Sequence, residues 1–168
     1  MELKLKLSEK FGMNNSDNRK LIRECLLVDL KADGYKVVDS AVTNLDFLPT
    51  CNEVGISISH TSEIGGYVIG CGVEAVGFDI ESTERVSKKL ADRIAKSDES
   101  YPAPDFFWCA KESAYKMLGS LGKAPAVISD LKIHSWSEES ANSVEFKFEG
   151  GQGRVWREKT YTLAVAWV

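Results

Sequence analysis

The sequence predicts an α+β fold in which mainly antiparallel strands pack against helices, and three observations lead there. Short stretches either alternate polar and apolar residues or run apolar in Val, Ile and Gly, at residues 2–7, 55–59, 65–71, 73–80, 143–148 and 160–168. Two longer stretches, 16–32 and 105–121, repeat apolar residues at helical spacing. The order strand, helix, strands over residues 1–72 returns over 73–168 as strand, helices, strands, which divides the chain into an N-terminal and a C-terminal half.

Each element has a local reason. Residues 14–17 carry the Asn, Ser and Asp side chains that cap and turn a chain, ahead of Leu21, Ile22, Cys25, Leu26 and Leu30 on one helical face; Gly34 marks the end of that helix. Residues 39–53, with Pro49 and Asn52, read as loop. Residues 65–71 and 73–80 are separated by almost nothing and read as a buried hairpin. Ser82 or Thr83 is placed to cap a charged helix reaching residue 97, with Glu84, Arg85, Lys88, Lys89, Asp92, Arg93 and Lys96 along it. Pro102 and Pro104 break the chain and prime the helix carrying Phe106, Phe107, Trp108, Ala114, Met117 and Leu118. The remainder, 127–136, 143–148, 154–156 and 160–168, is strand-like, with a Gly-rich turn at 149–153.

Composition narrows the function classes. With 168 residues, 43% of them hydrophobic, the chain buries a core without a disulfide or metal staple. A net charge of −4 argues against a general nucleic-acid binder. Cys25, Cys51, Cys71 and Cys109 form no CxxC pair and only two histidines are present, so the cysteines read as reduced thiols in apolar surroundings rather than zinc ligands. The stretch MELKLKLSEK has no apolar signal core and nothing approaches the length of a membrane span, so a cytoplasmic protein is expected.

Three segments can carry chemistry. Asp79 and Glu81, two apart on a strand, share one face. Paired carboxylates repel unless a cation or proton lies between them, and hard oxygen ligands suit Mg²⁺; alone, the pair reads equally as a strand end meeting water. Trp108, Glu112 and Lys116 follow one another at i, i+4 and i+8 on a helix face, with Lys111 and Tyr115 beside them. That arrangement is either an exposed ion pair or a metal ligand next to a phosphate-holding lysine. Ser59-His60 ends a strand where a histidine can donate to an anion, although a lone histidine is more often structural. His134, in a C-terminal strand without such neighbours, reads as structural.

In this order, Ser59-His60, then Gly77-Phe78-Asp79 with Glu81, then Trp108-Cys-Ala-Lys111-Glu112-Ser-Ala-Tyr-Lys116, the segments resemble the 4′-phosphopantetheinyl transferase superfamily over about residues 54–120. The resemblance implies a fold of two pseudo-symmetric halves, mainly antiparallel sheet packed on helices, with the cofactor in the cleft between them. It implies a holo-[acyl-carrier-protein] synthase activity: Mg²⁺-dependent transfer of the phosphopantetheine arm of coenzyme A to a serine of an acyl or peptidyl carrier protein, with release of 3′,5′-ADP. Asp79, Glu81 and Glu112 correspond to metal ligands, and Lys116 and Lys111 to contacts with the coenzyme A pyrophosphate. Ser59 and His60 correspond to a phosphate contact, and Glu112 is also the candidate base for the carrier serine. Arg85, Lys88, Lys89 and Arg93 stand where such enzymes dock an acidic carrier helix, or form an ordinary solvated face. Residues 46–53 supply no Lys or Arg for the 3′-phosphate, which leaves Arg19, Lys20 and Arg23 on the first helix as sources. Because one chain holds every motif, a monomer is expected, acting in fatty-acid, peptide or polyketide synthesis. The alternative is a non-catalytic coenzyme A or carrier-protein binding module on the same scaffold.

Overall fold

The computed structural model describes residues 1–13, 17–140 and 142–168, and they form a mixed α+β fold with two antiparallel sheets and four helices. In the first sheet β1 (Glu2–Ser8), β2 (Gly55–His60) and β3 (Gly65–Cys71) lie in the order β1-β3-β2. One face is covered by α1 (Asn18–Ala32) and α2 (Asp39–Thr43), through a cluster of Phe11, Ile22, Leu26, Leu30, Val42, Tyr67 and Ile69. The apolar face expected of α1 is thus the one it buries; of the capping segment expected at 14–17, Asp17 stands at the N-cap position and residues 14–16 lie outside the described residues.

The second sheet comes from the rest of the chain. β4 (Val76–Ser82) pairs with β8 (Tyr161–Trp167), and β7 (Gly151–Glu158), β6 (Ser143–Phe148) and β5 (Ile133–Ser140) complete the order β4-β8-β7-β6-β5. α3 (Lys88–Asp92) and α4 (Pro104–Ser120) follow β4 in the chain. α4 has proline in its first turn, where the fixed φ suits the helix and no amide partner is lost. Its Phe106, Phe107, Ala110, Ala114, Met117 and Leu118 join Ala164, Ala166, Phe146 and Val155 of the sheet in one core. Burying a large apolar side chain is worth about 1.5–3 kcal/mol relative to exposing it, which fixes α4 on this face.

β4 is buried on both sides. Val76, Phe78 and Ile80 meet Leu163, Val165 and Val68 in a third cluster. On the other side Gly77 touches α4 so closely that a Cβ there would stand 1.9 Å from the Ser113 carbonyl oxygen and 2.6 Å from the Met117 nitrogen. Asp79 and Glu81 share that face with Gly77 by strand alternation, so the glycine brings two carboxylates against the helix that carries Glu112 and Lys116.

The two sheets meet along β2 and β4. Gly55 lies against Val76, the Phe78 amide donates to Ser57 Oγ at 2.9 Å, and the Ile80 amide reaches Ser59 Oγ at 3.4 Å. The strands therefore run side by side in one direction, bridged by serine hydroxyls where a main-chain ladder would otherwise lie.

Several expectations are corrected. Residues 65–71 and 76–82 are consecutive strands but belong to different sheets, so they form no hairpin; each finds its antiparallel partner elsewhere, β3 between β1 and β2, and β4 against β8. The charged helix expected to reach residue 97 is broken into a 3₁₀ turn at Thr83–Arg85 and the short α3: Val86 and Ser87 are extended, and the Ser87 side chain caps α3 by accepting from the Leu90 amide. The loop expected over 39–53 contains α2, whose Val42 is buried. Residues 127–132, read as the start of a strand, hold a 3₁₀ turn at Ile128–Asp130, and β5 begins at Ile133. Among the described residues no helix is long and apolar enough to cross a membrane.

Candidate active site

Three separate segments converge where β2, β4 and α4 meet. Lys116 Nζ donates to Asp79 Oδ1 at 2.7 Å, to Ser59 Oγ at 2.9 Å and to the Phe78 carbonyl at 3.1 Å. Ser59 Oγ donates in turn to Asp79 Oδ1 at 3.0 Å. Asp79 and Ser59 are buried and Lys116 is part-buried, so this is a packed polar knot and not a surface ion pair. An ammonium has three protons, and all three are taken.

Glu81 lies at the rim. Its carboxylate accepts from Arg85 at 3.1 Å and from the Ser82 amide at 2.9 Å. Glu112, a turn before Lys116 on α4, makes no side-chain hydrogen bond or ion pair with another described residue, although it is half-buried. Burial, with the charges of Asp79 and Glu81 nearby, pushes its pKa above the ordinary glutamate value, against the opposing pull of Lys116. Three carboxylates expected from the sequence to act together are thus electrostatic neighbours.

His60 ends β2 beside this knot. Burial lowers its pKa first, and the charges of Lys116 and Arg19 lower it further, against Asp79. Arg19 is therefore the first-helix cation whose charge reaches the histidine. Arg23 is committed elsewhere: its guanidinium donates to the carbonyls of Val42, Asn44 and Phe47, and it holds the loop after α2.

Lys111 departs from expectation. It is fully buried on the other flank of α4, with Nζ 2.7 Å from Glu99, 2.8 Å from the Ile94 carbonyl and 4.8 Å from the centre of the Phe107 ring. Such a lysine ties residues 94–99 to the core and does not face the knot, so it is corrected from ligand contact to structural ion pair. Its partner Glu99 was invisible in the sequence because nothing in the motif spacing links the two. Cys109, also on α4 and wholly buried, points at the Thr162 carbonyl, and burial with the nearby Asp79 charge pushes its thiol pKa up, so it stays protonated. All four cysteines are free.

The basic residues expected to dock a carrier remain at the surface. Arg85 pairs with Glu81, Lys88 with Asp92 at 2.7 Å, and Lys89 and Arg93 are exposed. His134 is exposed on β5, the edge strand, next to a break in register. A groove of about 660 Å³, between Leu3, Val68, Trp156 and Trp167, opens on the far face of the five-stranded sheet and touches none of the motif residues.

The donor set suits a hard divalent cation: carboxylate oxygens only, one of them half-buried and without a partner. The arrangement is not assembled around one point. Among the described residues no three His, Cys, Asp or Glu side chains are gathered closely enough to hold a metal ion, because Asp79 is turned to Lys116 and Glu81 to Arg85. No protein-family model matches the chain, and no curated protein sequence matches it significantly.

Proposed function

We propose that this chain is a 4′-phosphopantetheinyl transferase that moves the arm of coenzyme A onto a carrier-protein serine. One observation carries the reading: Ser59, Asp79 and Lys116, far apart in sequence and each from a different motif, meet within hydrogen-bond distance, with His60, Glu81 and Glu112 around them. The reading includes the family's two pseudo-symmetric halves, residues 1–72 and 73–168, with the motif residues at the junction of the two sheets.

In the proposed reaction the carrier serine oxygen bonds to the β-phosphorus of coenzyme A, the bond from that phosphorus to the bridging oxygen breaks, and 3′,5′-ADP leaves. Asp79, Glu81 and Glu112 would hold Mg²⁺, which when bound supplies neutralisation of the pyrophosphate oxygens. Lys116 and His60 supply donors to those oxygens as charge grows on them. Glu112 is placed to take the serine proton, directly or through a water. Arg85, Lys88 and Lys89 present positive charge to an acidic carrier helix, which favours encounter more than final affinity.

The test is mass spectrometry of an apo carrier protein incubated with the chain, coenzyme A and Mg²⁺. The expected result is a gain of one phosphopantetheine mass, abolished by EDTA and by Asp79→Ala. Coenzyme A binding without transfer to carriers from fatty-acid, peptide and polyketide systems would replace the transferase with a binding module. That second reading draws on one observation, the absence of an assembled three-carboxylate cluster.

A further inference from the structure

Lys116 cannot hold a phosphate in the arrangement described. Its three ammonium protons point to Asp79, Ser59 and the Phe78 carbonyl, so a pyrophosphate oxygen gains a bond from it only when one of these is given up. Asp79 is engaged on one oxygen: Oδ1 accepts from Lys116 and Ser59, so a cation approaching this carboxylate meets the Lys116 ammonium beside it. The two groups that a metal and an anion each require are occupied with one another.

We propose that Lys116 is a resident counter-ion of Asp79, displaced when a divalent cation and a pyrophosphate enter together. The inference rests on the transferase reading and adds an order to it. An incoming diphosphate draws Lys116 off Asp79; the freed carboxylate then joins Glu112, which has no partner to lose, in holding the cation. Glu81 repeats the device at the rim with Arg85, in a weaker form because that arginine is mostly solvent-exposed. Without the anion, a cation meets the Lys116 ammonium already seated on Asp79; without the cation, a pyrophosphate meets three carboxylates. Each ligand therefore raises the other's affinity, and the coupling is reciprocal by linkage. The functional gain is selectivity: free phosphate-poor anions and free Mg²⁺ are both held weakly.

Titration calorimetry of the purified chain with MgCl₂ alone, with coenzyme A alone and with both tests this, the heat of Mg²⁺–coenzyme A association being subtracted. In the unmodified chain each ligand is expected to tighten the other at least about fivefold. Lys116→Gln should bind Mg²⁺ alone at least about fivefold more tightly than the unmodified chain and lose most of the coupling. Ser59→Ala, which removes one of the three anchors of Lys116, should move in the same direction by less, and it serves if Lys116→Gln does not fold. Unchanged or weaker Mg²⁺ binding in these variants, or equal Mg²⁺ affinity with and without coenzyme A in the unmodified chain, overturns the counter-ion role while leaving the transferase reading to the carrier assay. No Mg²⁺ binding under any condition overturns both.

Discussion

Lys111 and Lys116 leave the same helix towards different carboxylates: Lys111 Nζ lies 2.7 Å from Glu99 inside the core, and Lys116 Nζ lies 2.7 Å from Asp79 where the two sheets meet. Two lysines of one motif thus have separate duties, one architectural and one proposed to be chemical. The difference is measurable.

Lys111→Met leaves the Glu99 carboxylate buried without its cation. Removing one partner of such a pair costs about 3–5 kcal/mol, whereas Lys111→Met with Glu99→Gln should recover much of that loss. Urea denaturation of the single and double variants reads both. At temperatures where the variants are folded, the KM for coenzyme A should stay near that of the unmodified chain, since this lysine faces away from the knot.

Glu112→Gln should behave in the reverse manner. It removes a half-buried carboxylate that sits near Asp79 and Glu81, so stability at neutral pH should be unchanged or higher, by no more than about 1 kcal/mol. Transfer to a carrier protein should fall at least about 100-fold, the usual scale for losing a general base. Thermal unfolding beside a transfer assay separates this outcome from a structural role, in which both would fall.

Gly77→Ala should be among the most damaging small substitutions in the chain. The new methyl would meet main-chain atoms of α4, which cannot swing aside as a side chain can. A loss of about 2–4 kcal/mol is expected, with Asp79 pushed away from Lys116. Denaturant midpoints give the first, and loss of Mg²⁺-coupled coenzyme A binding gives the second.

Asp105, in the first turn of α4, predicts an acid limb of the stability curve. Burial alone would raise its pKa, but hydrogen bonds from Arg157 and Thr162 outweigh burial and hold it below the ordinary 3.8. A depressed carboxylate contributes stability fully above its unfolded value, and the contribution fades as pH falls below 3.8 through the lower folded value. Asp105→Asn should cost about 1–2 kcal/mol at pH 7, allowing for the partly exposed arginine, and its stability should fall less steeply than the unmodified chain's in acid. Unfolding measured from about pH 7 down to pH 2 checks both slopes.

The sequence spoke most clearly where one residue's neighbours lie along its own element. Asp79 and Glu81 share a strand face and Glu112 and Lys116 a helix face by geometry that periodicity alone dictates. Helices α1 and α4 and the strand-rich C-terminal region were legible for the same reason. What could not be read is set by partners distant in sequence. The stretch 65–80 looks like a hairpin locally, yet β4 goes to β8, whose inward residues Leu163 and Val165 are needed to cover Val76, Phe78 and Ile80. Glu99 reveals its tie to Lys111 only when residues 94–99 fold back on α4. Arg23, read as a candidate phosphate ligand, is instead consumed by the carbonyls of Val42 in α2 and of Asn44 and Phe47 in the loop after it.

Ser57 and Ser59 have a mechanical consequence. Two hydroxyls give fewer and longer-armed polar restraints between β2 and β4 than a run of main-chain bonds would. Lys116 spans that line, anchored to Ser59 on one side and to Asp79 on the other. A molecule bound there would stiffen the whole chain as one body, and amide exchange along both strands would slow together.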